Sequence, residues 1–281
     1  MVHPRLHRLV PAVLVGPTGR LAPVIRCALT AFCLIGAGVL ADASWKPAMA
    51  GEFTAAQRAE LGGLVREYLL QNPEVLQDAM TELERRQKAQ ESAKRERVVD
   101  EKSAELFHAP NEVVLGNPNG KVTLVEFFDY NCGYCKRALD DVGKLMKTEP
   151  ELRVVLKDFP VLSPGSVEAA YVAGAARNQF KGDQFWRFHS KLLSSHGPVA
   201  KSQALAVAKD LGANMDQLAK DADSTEVKQT VQANMQLADA LSLTGTPSFV
   251  VGQDVVVGAV GYDELKTRVD SVLKCGRAVC S

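Results

Sequence analysis

Apolar residues recur at helical spacing along residues 53–107, which predicts a helical N-terminal region. Thr54 and Gln57 form a capping-box sequence, so the first helix is predicted to begin there. Asn72 and Pro73 interrupt the pattern and start a second helix, with Asn as the cap and Pro at the first helical position. The apolar faces of the two helices consist of Leu61, Leu64, Val65, Tyr68 and Leu69, and of Val75, Leu76, Ala79, Met80 and Leu83.

Charged residues dominate the continuation of the second helix, from Glu82 to Lys102. No Gly or Pro interrupts the chain between Glu74 and Phe107, so one long helix is predicted. Two short amphipathic helices and a charged rod cannot bury a core by themselves. Their apolar faces must pack either on the rest of the chain or on other copies of it. We favour self-association, because the charged stretch would act as a spacer.

After residue 108 the pattern becomes that of an α/β domain. Val122–Phe128 is nearly continuously apolar and predicts a buried strand, and a helix is predicted to start near Cys132. Leu152–Leu156 predicts a second strand. Much later, Phe249–Val251 and Val255–Val257 predict an antiparallel hairpin.

Residues 164–242 separate the two halves of this domain and have a helical pattern. The four segments with apolar residues every three or four positions are Ser166–Phe180, Asp183–Ser195, Ser202–Leu211 and Ser224–Leu241. A last helix, carrying Leu265 and Val269, is predicted to stop at Gly276. The predicted fold class is therefore α/β, with a helical insertion at about 164–242 and a helical region in front.

The first fifty residues have the order of a secretory signal peptide. Four arginines precede the uncharged apolar stretch Cys27–Leu40, and Ala48-Met49-Ala50 supplies the small residues of a cleavage site. The apolar stretch is shorter than the ~20 residues that a membrane-spanning helix needs. We therefore expect cleavage after Ala50 and export to the periplasm.

Composition limits the function classes. With 281 residues, of which 46% are hydrophobic, the chain can bury a core and is not expected to be disordered. Equal numbers of basic and acidic residues, 33 of each, argue against a protein built to bind nucleic acid. The expected organisation is a signal peptide (1–50), a helical oligomerisation region and linker (51–107) and the α/β domain (108–281).

Cysteine usage points to an oxidising compartment. Two of the six cysteines lie in the predicted signal peptide, and the mature chain keeps Cys132, Cys135, Cys275 and Cys280. An even number of cysteines in an exported protein usually forms disulfides, and these spacings favour two local bonds. Cys275 and Cys280 lie beyond the last predicted helix and are expected to form a structural disulfide.

The motif Cys132-Gly133-Tyr134-Cys135 comes directly after the predicted strand and opens the predicted helix. The first sulfur would lie at the helix N-terminus, where free N–H groups stabilise a thiolate. The thiolate is the attacking form in thiol–disulfide exchange. We therefore expect Cys132 to be the nucleophile and Cys135 to resolve the mixed disulfide.

Three other interpretations compete with this one. A purely structural disulfide is disfavoured by the position of the motif between a strand and a helix. A zinc site needs four ligands, and no His stands at ligand spacing beside either cysteine pair. A Cu(I) site at Cys132 and Cys135 is the third alternative, since two soft thiolates suit that ion. We favour redox chemistry among the four.

Two further features strengthen the redox interpretation. Glu126 is the one acid inside the otherwise apolar strand. Buried there, its carboxyl would have a raised pKa and could pass a proton to or from Cys135. Thr246 and Pro247 stand directly before a predicted strand, where a Pro with a cis peptide bond marks a constrained turn.

The segment VEFFDYNCGYC, followed much later by TGTP at a strand start, resembles the thioredoxin superfamily. The helical insertion and the acid at Glu126 resemble the DsbA branch. The segment FTAAQRAELGGLVREYLLQNPEVLQDAM resembles the leading part of the ScsC (suppressor of copper sensitivity) proteins. The resemblance implies a thioredoxin fold, periplasmic disulfide chemistry and a cis Pro247, with Gly133, Tyr134 and Thr246 beside the substrate peptide.

The same resemblance implies partners. In ScsC-like proteins the N-terminal helices can mediate trimerisation, and trimeric members can isomerise disulfides. A membrane reductase of the DsbD/ScsB type keeps such members reduced, and copper tolerance is associated with the family. The expected clients are exported cysteine-containing proteins, and no cofactor is required unless Cu(I) binds the motif.

The chain departs from the DsbA oxidase between the two cysteines, where Gly133-Tyr134 replaces Pro-His. Without that His, less positive charge supports the Cys132 thiolate, so the disulfide is expected to be less oxidising. The dipeptide and the Thr before Pro247 both resemble the isomerase DsbC. These features favour a disulfide isomerase or reductase over a DsbA-like oxidase, with Cu(I) binding as the alternative from a different class.

Overall fold

The structure is a computed structural model that describes residues 53–280, so the predicted signal peptide at 1–50 lies outside the described residues. The strands are β1 (Val113–Gly116), β2 (Val122–Phe128), β3 (Leu152–Asp158), β4 (Ser248–Val251) and β5 (Asp254–Val257). The helices are α1 (Ala55–Gln71), α2 (Glu74–Glu101), α3 (Ser103–Phe107), α4 (Gly133–Thr148), α5 (Pro164–Ala176), α6 (Gly182–Leu193), α7 (Lys201–Asp210), α8 (Met215–Ala222), α9 (Thr225–Ala240) and α10 (Tyr262–Cys275).

The strands form one sheet in the order β1-β3-β2-β4-β5. The central strand β2 pairs parallel with β3 and antiparallel with β4, which places Glu126 opposite Leu156 and Phe249. One face of the sheet packs on a core that includes α4 and α5, and the other face packs on α3 and α9. Burial on both faces explains why β2 is apolar nearly throughout. The predicted α/β fold with a helical insertion is confirmed.

The insertion between β3 and β4 consists of α5 to α9. Its pattern did not predict α8, although Asn214 provides a local signal as the N-cap, where its Oδ1 accepts the Gln217 N–H at 3.0 Å. The strand β1 was not predicted either. It has only four residues and pairs antiparallel with β3 at one edge of the sheet, so its own sequence is too short to show a period.

The capping box at the start of α1 forms as predicted. The Gln57 N–H donates to Thr54 Oγ1 (3.2 Å), and the Thr54 N–H donates to Gln57 Oε1 (2.9 Å). The end of α1 differs from the prediction that Asn72 caps the second helix. Asn72 Nδ2 instead donates to the carbonyl oxygen of Tyr68 at 2.8 Å, so this side chain closes α1.

Large apolar side chains in α1 and the first half of α2 are exposed. They are Leu61, Leu64, Val65, Tyr68, Leu70, Leu76, Met80 and Leu83. Exposure of this many large apolar groups is what the self-association prediction requires. The oligomeric state itself stays a prediction.

The last turns of α2 do not act as a free spacer, which corrects the prediction for Glu82 to Lys102. Arg95 donates from Nε to the carbonyl oxygen of Leu241 and from Nη2 to that of Ser242, both at 3.2 Å. Val99 is buried against the sheet core, because the residues that the charged pattern assigned to solvent include an apolar pair at 98–99. Packing on the α/β domain therefore begins before residue 108.

Candidate functional site

Cys132 lies where the central strand β2 is followed by α4. It is the N-cap of α4, since its backbone is extended (φ −82°, ψ 115°) and its sulfur accepts the Cys135 N–H at 3.2 Å. When it is protonated, the Cys132 thiol also donates to the carbonyl oxygen of Thr246, which lies 3.1 Å from the sulfur. The sulfur is thus held between a helix N-terminus and a loop that follows 114 residues later.

These surroundings lower the pKa of Cys132 to about 6. The largest cause is its hydrogen bond with the Cys135 thiol, which outweighs the opposing effect of burial. The N–H groups at the start of α4 add to the stabilisation of the thiolate. Cys132 is therefore ionised at neutral pH.

Cys135 has the opposite character. It is fully buried in the first turn of α4, and burial is the largest cause of its strongly raised pKa. Its hydrogen bond with Cys132 and the charge of Glu126 raise the pKa further. Cys135 thus keeps its proton while Cys132 is a thiolate. This is the arrangement required of a resolving thiol.

The Thr246–Pro247 peptide bond is cis. The loop is fixed on both sides, since Ser248 Oγ donates to the carbonyl of Gly245 (2.7 Å) and the Gly258 N–H donates to the carbonyl of Pro247 (2.8 Å). The structure therefore brings Thr246 and Pro247 to the Cys132 sulfur, as the site prediction requires.

Glu126 is buried in β2, and its Oε1 has no hydrogen-bond partner among the described residues. Burial raises its pKa to about 8, with a smaller contribution from the charge of Cys132. Because the carboxyl also raises the pKa of Cys135, the two groups are electrostatically linked. A group with a pKa near neutral can exchange a proton in either direction.

Two polar residues that the sequence interpretation passed over, Asp129 and Asn131, lie immediately before the nucleophile. Asp129 is buried and its carboxylate accepts three backbone N–H groups. The side chain of Asn131 makes two hydrogen bonds to the backbone of Val199 and one to Ser166 in α5. The sequence does show a run of polar residues after the apolar strand. It does not show which parts of the fold those polar side chains contact.

His189 is packed on the apolar side of α6. It is fully buried, its Nδ1 lies 3.2 Å from the Tyr130 hydroxyl, and burial lowers its pKa to about 3. The imidazole is therefore neutral and contributes no positive charge to the site.

Cys275 and Cys280 form a disulfide with a Cα–Cα distance of 6.1 Å. It closes the end of α10, where Gly276 adopts the left-handed conformation (φ 75°) that commonly ends a helix. Both sulfurs lie near backbone carbonyls of their own segment, those of Arg277 and Ser271. The pair is thus separate from the thiol pair at the start of α4.

Within residues 53–280, no group of three or more His, Cys, Asp or Glu side chains could hold a metal ion. Cu(I) at the CxxC motif would have two sulfur ligands, Cys132 and Cys135. Such a site needs both thiols to lose their protons, and the raised pKa of Cys135 opposes the second loss.

None of the helices in residues 53–280 has the length and apolar composition of a membrane span.

Family models match two parts of the chain. One described as Thioredoxin matches residues 108–271, and one described as Copper resistance protein ScsC N-terminal domain matches residues 57–90. The second match coincides with the helices whose apolar side chains are exposed.

Solved structures agree with this division. A thioredoxin-like oxidoreductase from Silicibacter pomeroyi DSS-3 is 41% identical, with a TM-score of 0.58 over 61% of this chain and 98% of that one. A linker-deletion variant of Proteus mirabilis ScsC is 26% identical, with a TM-score of 0.60 over 80% of this chain and 99% of that one. The second similarity extends further along the chain.

Two curated relatives each match more than half of this chain. The Probable disulfide bond formation protein D of Bacillus anthracis is 26% identical over 187 residues, which are 62% of this chain and 84% of that protein. Na(+)/H(+) antiporter NhaA 1 of Salinispora arenicola is 29% identical over 162 residues, which are 56% of this chain, and the chain spans only 24% of its length. Since the Thioredoxin model covers more than half of the residues, this chain belongs to the thioredoxin family, and its similarity to ScsC proteins includes the N-terminal helices.

Proposed function

We propose that this chain is a disulfide isomerase or reductase that acts on exported proteins in the periplasm. The observation that carries the proposal is the opposite shift of the two thiol pKa values. Cys132 has a pKa of about 6, whereas burial raises that of Cys135. A nucleophile that is ionised at neutral pH can attack a client disulfide while its neighbour stays protonated.

The exchange begins when the Cys132 thiolate attacks one sulfur of a client disulfide. A mixed disulfide forms, and the other client sulfur leaves as a thiolate. In isomerisation, that thiolate attacks another client disulfide, and a client thiolate finally displaces Cys132, so no net electrons are transferred. In reduction, Cys135 attacks the Cys132 sulfur, the client leaves as a dithiol, and Cys132 and Cys135 become a disulfide.

Glu126 is the proposed proton acceptor when Cys135 attacks, and the proton donor in the reverse direction. Its pKa of about 8 places both protonation states within reach near neutral pH. The oxidised pair would then be returned to the thiol form by a membrane reductase of the DsbD/ScsB type.

The client peptide is proposed to lie across Gly133, Tyr134 and the cis-proline loop. Tyr134 is 59% exposed, and the Arg137 guanidinium lies 4.3 Å from the centre of its ring, which holds the ring at the surface. The carbonyl of Thr246 is already within hydrogen-bond distance of Cys132. A client backbone beside this loop would bring its sulfur to the nucleophile.

The direction of the reaction follows from what supports the Cys132 thiolate. Its pKa is lowered by the Cys135 thiol and by backbone N–H groups, with no cationic side chain among the causes. Gly133-Tyr134 supplies no positive charge in place of the missing His. A moderately stabilised thiolate favours reduction and isomerisation over oxidation.

Self-association would bring several such sites together. The exposed apolar side chains of α1 and α2 coincide with the match to the ScsC N-terminal domain at 57–90. Burying large apolar side chains contributes roughly 1.5 kcal/mol or more each, which can exceed the entropic cost of association. We propose a homotrimer, in which a misfolded client is held by more than one domain.

The test compares two double variants. The first combines Leu64→Glu and Leu76→Glu on the exposed apolar faces, and the second combines Ala59→Glu and Thr81→Glu. The control adds the same two charges at exposed positions of the same helices. Only the first pair should convert the trimer to a monomer by light scattering. That monomer should still reduce a simple disulfide but should isomerise scrambled ribonuclease poorly.

An intact mature chain that is a monomer at micromolar concentration would contradict the trimer and weaken the isomerase preference. The redox state of Cys132 in the exported protein separates the remaining alternatives. A mainly oxidised motif supports a DsbA-like oxidase. A reduced motif without ribonuclease isomerisation, together with Cu(I) binding lost in Cys132→Ser, supports a copper protein.

A further inference from the structure

We propose that Asp129 and Asn131 are positioning residues that fasten the Cys132–Cys135 loop to the helical insertion and thereby keep the Cys132 sulfur among its N–H donors. The inference rests on the proposed redox role of Cys132. It explains what lowers the pKa of the Cys132 thiol, and it does not depend on whether the protein isomerises or reduces disulfides.

The Asp129 carboxylate joins two backbone segments through three N–H groups. Its Oδ1 accepts the N–H of Asn131 at 2.8 Å, and its Oδ2 accepts those of Val161 and Leu162 at 2.9 and 3.0 Å. The side chain is buried, and no Lys or Arg forms an ion pair with it among the described residues. A buried carboxylate held only by backbone N–H groups fixes those groups in position.

The Asn131 side chain makes a second attachment. Its Oδ1 accepts the Val199 N–H at 2.7 Å, and its Nδ2 donates to the Val199 carbonyl at 2.8 Å and to Ser166 Oγ at 2.9 Å. Val199 lies between α6 and α7, and Ser166 lies in the first turn of α5. The loop before the nucleophile is therefore tied to two separate parts of the insertion.

The backbone of Asp129 connects these attachments to Cys132 and to Cys135. Its carbonyl accepts the Cys132 N–H at 3.0 Å. At Cys135, where burial dominates and raises the pKa, a backbone contact with Asp129 acts in the opposite direction. Movement of Asp129 would therefore displace the Cys132 sulfur from the Cys135 N–H, which lies 3.2 Å away and stabilises the thiolate.

The sign of one measurement separates position from charge. Asp129→Asn keeps the shape of the side chain, but an Nδ2 group cannot accept the N–H bonds that one carboxylate oxygen accepts. If Asp129 acts by position, the pKa of Cys132 rises towards that of a free thiol. If it acts only through its negative charge, removal of that charge lowers the pKa of Cys132.

The experiment follows alkylation of Cys132 in the full reduced protein as a function of pH, with peptide mass spectrometry to identify the site. A rise from a pKa of about 6 by one unit would slow alkylation of Asp129→Asn at pH 6 about fivefold. Ser224→Ala is the matched control, because it also removes one N–H acceptor in the insertion, that of Val227, without contacting the loop. The control should leave the pKa unchanged.

Ser166→Ala removes the acceptor of one Asn131 hydrogen bond, together with a contact to Ser163 Oγ at 3.1 Å. This variant decides the matter if Asp129→Asn does not fold. It should slow alkylation at pH 6 in the same direction, by about twofold. Faster or unchanged alkylation of the folded Asp129→Asn variant, or unchanged alkylation of Ser166→Ala where that variant decides, overturns the proposal. Because alkylation requires no client, absence of isomerase activity in the unmodified protein would contradict the proposed function without affecting this result.

Discussion

The two cysteine pairs of the described chain lie at opposite ends of helices and differ accordingly. Cys132 precedes the first residue of α4, whereas Cys275 is the last residue of α10. Free N–H groups at a helix N-terminus stabilise a thiolate, and the free carbonyls at a C-terminus do not. The same residue type therefore becomes a reactive thiol at one end and part of a structural disulfide at the other.

Spacing and burial sharpen this difference. In the first pair, Cys135 is fully buried and its pKa is raised further by Glu126, and neither Cys132 nor Cys135 forms a disulfide in the structure. The second pair closes a short loop at the end of the chain. The comparison indicates that the Cys132 thiol owes its lowered pKa to a second thiol in the first turn of the helix and to the free N–H groups there, neither of which the C-terminal pair has.

Removal of the nucleophile should have the largest effect. Cys132→Ser should lower disulfide reductase activity by at least about 1,000-fold, because a serine hydroxyl is not ionised near neutral pH. Reduction of a fluorescent disulfide peptide measures this loss. The double variant Cys275→Ser with Cys280→Ser is the control and should keep its activity within about twofold, and a comparable loss there would break the comparison.

Alkylation should distinguish the two thiols of the first pair. Cys132 should react with a rate that rises with pH and is half-maximal at about pH 6, because its pKa is lowered to that value. Cys135 should react more than about tenfold more slowly at pH 7, since burial raises its pKa and shields it. Peptide mass spectrometry identifies the labelled site, and faster labelling of Cys135 would reverse the assigned roles.

Glu126→Gln should lower turnover about tenfold while the fold persists. The carboxyl has a pKa of about 8, so its titration should change the rate near that pH. This change should disappear when Gln replaces it. Circular dichroism checks the fold, and stopped-flow fluorescence over pH 6–9 gives the profile. An unchanged profile would remove Glu126 from the proton transfer.

Loss of the Cys275–Cys280 disulfide should change activity least of all. It should instead lower the stability of the protein. Replacing both Cys275 and Cys280 by Ser should lower the free energy of unfolding by about 2 kcal/mol, since a short loop loses little chain entropy. Urea unfolding of the oxidised protein measures the change. A shift in the pKa of Cys132 in this variant would show that the two pairs are coupled.

Local patterns were sufficient for much of this molecule. The apolar run of β2, the capping box of α1 and the motif that opens α4 can each be predicted within a few residues, because their causes are local. The burial of Glu126 could also be predicted, since it follows from a strand covered on both faces. Short elements such as β1 and α8 could not, because four to eight residues carry too little periodicity.

The sequence by itself therefore determined the fold class and the position of the Cys132–Cys135 motif at the start of α4. Only the tertiary structure decided that Thr246 meets a sulfur 114 residues away, that Asp129 and Asn131 attach the loop to the insertion, and that the end of α2 packs on the sheet. These contacts join segments that are distant along the chain. Each depends on which loops the sheet topology places side by side, and no local period records that information.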